Sequence, residues 1–233
     1  MMTLVLKCLE PYSNCIPPEP VSEGLDFYPK NCMLHLIPMT TALFIDRDGV
    51  INRMVPNMSE GFDSPSHKDQ VLLVEGIVEV INYCNEKKVP VIEISNQPGV
   101  AKGKMTLEEN VAIESTIHEL LNKQKAYILD SYRCLHHPDA LLKEYREICD
   151  CRKPFPGLLE KAAKEHNIDL TKSFFLGDNV SDMEAAKRAG CTGVLFINEE
   201  DTKEKVFTKK SYEAPYIVHN HTETLQLLQQ LFT

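Results

Sequence analysis

From Thr41 onward, short apolar runs alternate with longer amphipathic segments, and this alternation restricts the chain to one class of fold. The spacing predicts strands over 41–45, 89–95, 131–135, 173–177, 193–197 and 215–218. It predicts helices over about 76–88, 106–124, 155–166, 180–189 and 222–231. Thr106-Leu107-Glu108-Glu109 opens the second helix with a capping-box pattern. Strands alternating with helices of this length need crossover connections, so the expected fold is α/β, a doubly wound parallel sheet of Rossmann-like kind. In such sheets ligands bind beyond the carboxyl ends of the strands. A chain of 233 residues buries roughly 70–75 % of its unfolded surface, enough for one substantial core.

Residues 1–38 read differently. Pro11, Pro17, Pro18 and Pro20 break any regular element there, and no apolar periodicity is sustained. An irregular N-terminal extension is expected, followed by one folded domain over 39–233, with Met33 and Met39 as alternative starting residues. The 34 Asp and Glu outnumber the 25 Lys and Arg for a formal charge of −9, which argues against a nucleic-acid surface. No apolar run approaches a membrane span, and Met1–Leu6 is too short for a signal segment before Lys7 interrupts it. A cytoplasmic monomer without membrane or nucleic-acid partners is the expectation.

The polar residues gather where predicted strands stop. In Asp46-Arg47-Asp48-Gly49 two carboxylates spaced two apart lean to the same side. One can act as nucleophile and the other as proton donor, with a divalent cation damping their repulsion, although Asp-x-Asp-Gly also occurs in plain turns and calcium loops. Ser95-Asn96-Gln97 follows the second strand; a hydroxyl and free backbone N–H groups at such a turn can hold a phosphoryl group, and the same residues are ordinary turn formers. Asp178 and Asp182 follow the fourth strand, where Asp182 also suits a helix cap. A third carboxylate beside Asp46 and Asp48 makes a hard, oxygen-rich site that suits Mg²⁺. Lys153 would balance the charge of a bound phosphate.

Cys8, Cys15, Cys32, Cys84 and Cys191 are scattered, as reduced thiols usually are, but Cys134-Leu135-His136 and Cys149-Asp150-Cys151 cluster. Three thiolates and an imidazole make a closed tetrahedral Zn²⁺ site of structural kind, and a Cys149–Cys151 disulfide would be strained. His137 is read as a spare histidine on the surface or behind the ligands. Arg152 and Lys153 directly follow the last ligand, so a zinc-pinned loop over 134–151 would fix where both cations point.

The ordered set Asp46-x-Asp48-Gly49, Ser95-Asn96, Lys153 and Gly177-Asp178-x-x-x-Asp182 resembles the haloacid dehalogenase superfamily of phosphatases, over residues 41 to about 198. The resemblance implies that Asp46 attacks phosphorus to form an aspartyl-phosphate. Asp48 then protonates the leaving oxygen and later activates water. It implies Mg²⁺ held by Asp46, the backbone carbonyl of Asp48, and Asp178, with Asp182 supporting the metal shell. Ser95 and Lys153 stabilise the phosphoryl group, and Asn96 lies beside Ser95 in the same pocket.

Within the superfamily the zinc loop and the run Ser95–Lys104 resemble the heptose bisphosphate and histidinol phosphatase group, the heptose enzymes above all. That implies removal of the 7-phosphate of heptose 1,7-bisphosphate, with Arg152 on the phosphate that stays. Histidinol phosphate or another small sugar phosphate is the alternative, and a catalytically silent scaffold is the rival of a different class. Asn179 replaces a usual basic residue, loop 53–70 is long, and the N-terminal extension is foreign to the group. The gaps of 48 residues between Asp46 and Ser95 and 57 between Ser95 and Lys153 hold no full cap domain. A capless, open site roofed by loop 53–70 and the zinc loop is expected.

Overall fold

The computed structural model describes residues 40–57, 61–198, 209 and 211–232. The irregular extension expected over 1–38 lies outside these residues. Six parallel strands form one sheet: β1 (Leu43–Ile45), β4 (Val91–Asn96), β5 (Asp130–Cys134), β6 (Phe174–Gly177), β7 (Thr192–Phe196) and β8 (Tyr216–Val218). Their spatial order is β5-β4-β1-β6-β7-β8. The helices are α1 (Ile77–Glu86), α2 (Leu107–Lys123), α3 (Gly157–Glu165), α4 (Val180–Ala189) and α5 (His221–Leu231).

Side chains alternate along each strand, so β1 feeds two cores at once. Leu43 and Ile45 join a cluster with Ile77 and Ile81 of α1, Ile113 and Ile117 of α2, and Leu228 of α5. Phe44 turns the other way, onto Leu158 and Ala162 of α3 and Ala185 of α4. The sheet is therefore covered on both faces and doubly wound. Each fully buried Leu, Ile or Phe contributes about 1.5–3 kcal/mol, and these clusters fix the strand ends to which polar groups attach.

The winding reverses at β1, which pairs with β4 on one side and β6 on the other. This switch point opens a crevice beyond the carboxyl ends of three strands. Asp46 ends β1, Ser95 and Asn96 end β4, and Asp178 follows β6. Among the described residues no cap domain interrupts the sheet, and no helix is long and apolar enough to cross a membrane.

Among the described residues, the strands that the spacing does not predict lie in loop 53–70. Val55–Asn57 (β2) and Gly61–Asp63 (β3) pair as a short antiparallel ribbon. Three-residue strands carrying Pro56 and Gly61 have no alternation to read. The ribbon is tied instead from outside, by Lys104 Nζ at 2.5 Å from Asp63 Oδ2.

Candidate active site

β1 runs directly into the site. The Asp46 N–H donates to the Leu176 carbonyl at 2.9 Å, so the ladder with β6 holds the first carboxylate in place. The chain then turns through Gly49, whose φ of 88° is left-handed, and a Cβ there would stand 2.7 Å from Asp178 Oδ2. Glycine is required twice over, for the turn and for the approach of Asp178. Gly177 likewise leaves the room that the Asp182 side chain fills.

Carboxylate oxygens of Asp46, Asp178 and Asp182 lie within 4.8 Å of one another. Lys153 is buried among them, its Nζ 2.7 Å from Asp46 Oδ1 and 2.7 Å from Asp182 Oδ1. It also donates to the Ile94 carbonyl at 2.9 Å. Burial alone would lower the lysine pKa, but Asp182 and Asp46 outweigh it and hold the ammonium charged. Asp46 is pushed well above the usual carboxylate range by burial and by the charges of Asp182 and Asp178, which Lys153 only partly offsets. Asp46 and Asp182 are buried and Asp178 partly so. Against these three carboxylates stand two ammoniums, Lys153 and, 3.6 Å from Asp178 Oδ2, Lys209, so the cluster remains short of positive charge. Asp182 also caps α4, since its Oδ2 accepts from the Asn179 N–H at 2.8 Å.

Asp48 has different partners. Arg47 Nε at 3.2 Å and Asn52 Nδ2 at 3.0 Å meet Oδ1, while Arg47 Nη2 at 3.0 Å and Gln97 Nε2 at 2.6 Å meet Oδ2. Burial raises its pKa, but these donors prevail and hold it below the usual range. Ser95 is buried and its Oγ accepts from Gln97 Nε2 at 2.8 Å. The Asn96 amide is engaged with the Lys153 backbone, donating to its carbonyl and accepting from its N–H, both at 3.0 Å. Arg152 Nη1 donates to the His136 carbonyl at 3.3 Å.

Cys134, His136, Cys149 and Cys151 come together as a four-donor set. Cys149 Sγ lies 3.5 Å from Cys134 Sγ and 3.1 Å from Cys151 Sγ, and His136 Nδ1 lies 3.4 Å from Cys151 Sγ. His136 Nε2 faces Glu147 Oε2 at 3.6 Å, leaving the Nδ1 lone pair toward the thiols. The donor chemistry and the outer carboxylate fit a tetrahedral zinc ion. The described cysteines are all free thiols. Between the β2–β3 ribbon and the segment 97–105 runs a cleft of about 610 Å³, lined by Asn57, Asp63, Ser64, Gln97, Lys102 and Lys104 among others.

Arg47, Asn52, Gln97 and Lys209 were not singled out from the sequence. Arg47 sits between the two aspartates and is almost fully buried, and Gln97 extends the Ser-Asn turn. Both adjoin motifs already marked, which was the available signal. Lys209, buried with Nζ 3.6 Å from Asp178 Oδ2, lies far along the chain and gave none.

A doubly wound parallel sheet with carboxylates and buried lysines at its switch point defines a haloacid dehalogenase-like hydrolase, and the HAD-hydrolase-like family model matches residues 150–224. The D-glycero-beta-D-manno-heptose-1,7-bisphosphate 7-phosphatase of Rhodopseudomonas palustris is 37 % identical over 163 residues, 70 % of this chain and 87 % of that protein. The enzyme of the same name from Helicobacter pylori is 34 % identical over 169 residues, 72 % of this chain and 89 % of that one. Among solved structures, D,D-heptose 1,7-bisphosphate phosphatase from B. bronchiseptica, complexed with magnesium and phosphate, superposes with a TM-score of 0.68 at 25 % identity. The match covers 82 % of this chain and 99 % of that one. The chain belongs to the haloacid dehalogenase-like phosphatases, in the group of these heptose bisphosphate enzymes, and is itself a phosphatase.

Proposed function

We propose that this phosphatase hydrolyses phosphomonoesters through an aspartyl-phosphate on Asp46, and that its substrate is heptose 1,7-bisphosphate, which loses the 7-phosphate. The observation that carries the chemistry is the buried Asp46 carboxylate at the switch point, with Oδ1 held 2.7 Å from Lys153 Nζ. That contact orients the nucleophile and leaves its other oxygen for phosphorus. Asp48 in its protonated form gives its proton to the leaving oxygen, and the carboxylate that remains then takes a proton from the attacking water. Ser95 and Lys153 receive the transferring phosphoryl oxygens, and Asn96 fixes Lys153 through its backbone.

The charge deficit around Asp46, Asp178 and Asp182 and the hard character of their oxygens fit Mg²⁺. Asp46, Asp178 and the Asp48 backbone carbonyl would hold it, with Asp182 behind them. When bound, Mg²⁺ neutralises charge on the carboxylates and on the phosphate they face. Cys134, His136, Cys149 and Cys151 would hold zinc in a structural role, setting the path of Arg152 and Lys153.

The substrate assignment rests on the heptose bisphosphate relatives and on cations at the rim. Arg152 and Lys102 lie close enough to His137 to depress its pKa, behind burial as the larger cause. A second phosphate on the sugar suits that cationic edge, where Arg152 offers a planar two-pronged donor. The experiment is kcat/KM for heptose 1,7-bisphosphate, its monophosphate and histidinol phosphate, in wild type and Arg152→Ala. The bisphosphate should be favoured, and the variant should lose roughly 10- to 150-fold on it alone, the worth of one charge-assisted contact. Preference for histidinol phosphate would overturn the substrate. Absence of Mg²⁺-dependent turnover on any phosphomonoester would overturn the chemistry.

A further inference from the structure

Behind Asp48 runs a line of buried polar side chains whose donors and acceptors are fixed from one end. It begins at the ion pair of Glu114 and Arg133, both partly buried. A guanidinium only donates. Arg133 Nη1 therefore sets the Asn110 amide by donating to its Oδ1 at 3.3 Å, and Asn110 Nδ2 must then face inward. That Nδ2 donates to Gln97 Oε1 at 3.2 Å, and Arg47 Nη2 donates to the same oxygen at 2.5 Å. With its oxygen between two donors, Gln97 turns Nε2 to Asp48 Oδ2 at 2.6 Å and Ser95 Oγ at 2.8 Å. Flipping Gln97 would set its amide N–H against two donors, and flipping Asn110 would set donor against donor at Arg133 and acceptor against acceptor at Gln97. Arg47, Gln97 and Asn110 are all at most 2 % exposed, so no water relieves such a mismatch.

We infer that Gln97 is a positioning residue for Asp48, its amide orientation dictated by Arg133 through Asn110, so that the carboxylate is aimed at the leaving oxygen. Of this line, Gln97 is the member that also lines the cleft between the β2–β3 ribbon and segment 97–105. A substrate that reaches Asp46 through that cleft would carry its leaving group past Gln97. Arg47 grips both Asp48 oxygens from behind and Asn52 steadies Oδ1, but among the described residues only Gln97 joins Asp48 to Ser95. One amide thus sets the spacing between the proton donor and a hydroxyl that receives the phosphoryl group. Misplacing a positioned acid by an ångström lowers rate by orders of magnitude. The inference rests on the reading of Asp48 as general acid.

The test uses leaving-group dependence of kcat/KM, which reports every step up to leaving-group departure. An alkyl phosphate expels an alkoxide that needs a proton; a nitrophenyl phosphate expels a stable phenolate that does not. Gln97→Ala should lower kcat/KM on a sugar phosphate by roughly 10-fold or more and on nitrophenyl phosphate by under about 3-fold. Asn110→Asp, nearly isosteric and still facing Arg133, reverses the polarity presented to Gln97 and should show the same selective loss without altering the cleft. Should Gln97→Ala fail to fold, Asn110→Asp decides alone. Equal losses on both substrates in a folded variant, or no loss on either, would overturn the positioning role. Asp48→Asn separates the two readings. If it discriminates between substrates while the Gln97 and Asn110 variants do not, only the clamp is wrong; if Asp48→Asn itself fails to discriminate, the general-acid assignment falls and takes the inference with it.

Discussion

Lys153 Nζ stands 2.7 Å from Asp46 Oδ1, and the same ammonium lies 2.7 Å from Asp182 Oδ1. One cation therefore holds both the candidate nucleophile and the residue that caps α4. Lys153→Met should leave two buried carboxylates without their partner. Breaking such a contact costs about 3–5 kcal/mol, roughly 6–20 °C in Tm for a domain of this size. Turnover should fall at least about 100-fold with loss of the group that meets the phosphoryl oxygens. Mg²⁺ should restore part of the lost Tm, because it supplies positive charge to the same oxygens. Thermal unfolding with and without Mg²⁺ checks this, and a wild-type Tm in metal-free buffer would contradict it.

Gly49 sits where φ is 88° and where a Cβ would meet Asp178 Oδ2 at 2.7 Å. Gly49→Ala should cost about 1–3 kcal/mol from backbone strain and displace Asp178 as well. The expected kinetic signature is a higher Mg²⁺ concentration for half-maximal activity, by about 10-fold or more if one ligand is weakened. A metal titration of activity reads this directly. An unchanged Mg²⁺ requirement would remove Asp178 from the proposed ligand set.

The loop carrying the Cys134, His136, Cys149 and Cys151 cluster connects to the site through short links. Cys151 is followed by Arg152 and Lys153, the Arg152 guanidinium returns to the His136 carbonyl, and Asn96 holds the Lys153 backbone at 3.0 Å. Zinc in small domains binds with an apparent 10–16 kcal/mol, but here the sheet has its own core. Cys149→Ser should therefore lower zinc content by elemental analysis and increase hydrogen exchange over 134–151. Far-UV circular dichroism should stay near wild type, and activity should drop. Stoichiometric zinc in the variant would show that Cys149 is not a ligand.

The sequence disclosed all six sheet strands and five helices to within about two residues, because each strand falls in an apolar run and each helix carries an amphipathic period. Asp46, Ser95 and Asp178 were legible for a related reason: each ends or follows a strand, and a doubly wound sheet brings such ends together, whereas Lys153 was marked only by its place after Cys151 and Arg152. The β2–β3 ribbon was not legible, because Val55–Asn57 and Gly61–Asp63 carry Pro56 and Gly61 and no apolar run. The polar line behind Asp48 was hidden differently. Asn110 falls on the apolar face of α2, and Glu93 and Arg133 fall inside strands, where a polar residue looks like an outward-facing one. Only tertiary pairing shows that these groups point inward to one another.

Glu93 gives that hidden line a measurable pH dependence. It is 1 % exposed on β4, and its pKa is raised from 4.5 to about 7, first by burial and then by the charges of Glu114 and Asp48, with Arg47 opposing. Between those two values the folded protein keeps a proton that the unfolded chain releases. The unfolded state then binds fewer protons, so stability falls as pH rises through this window and levels off above about pH 7. The full effect is about 3 kcal/mol, at 1.36 kcal/mol per pKa unit. Glu93→Gln mimics the protonated acid and should remove this slope. The Tm of the variant relative to wild type should therefore become more favourable from pH 5 to pH 7.5, measured with Mg²⁺ present throughout so that the other buried carboxylates are held alike. Parallel Tm curves for the two proteins would mean that Glu93 is already ionised at acid pH, its charge offset by Arg47.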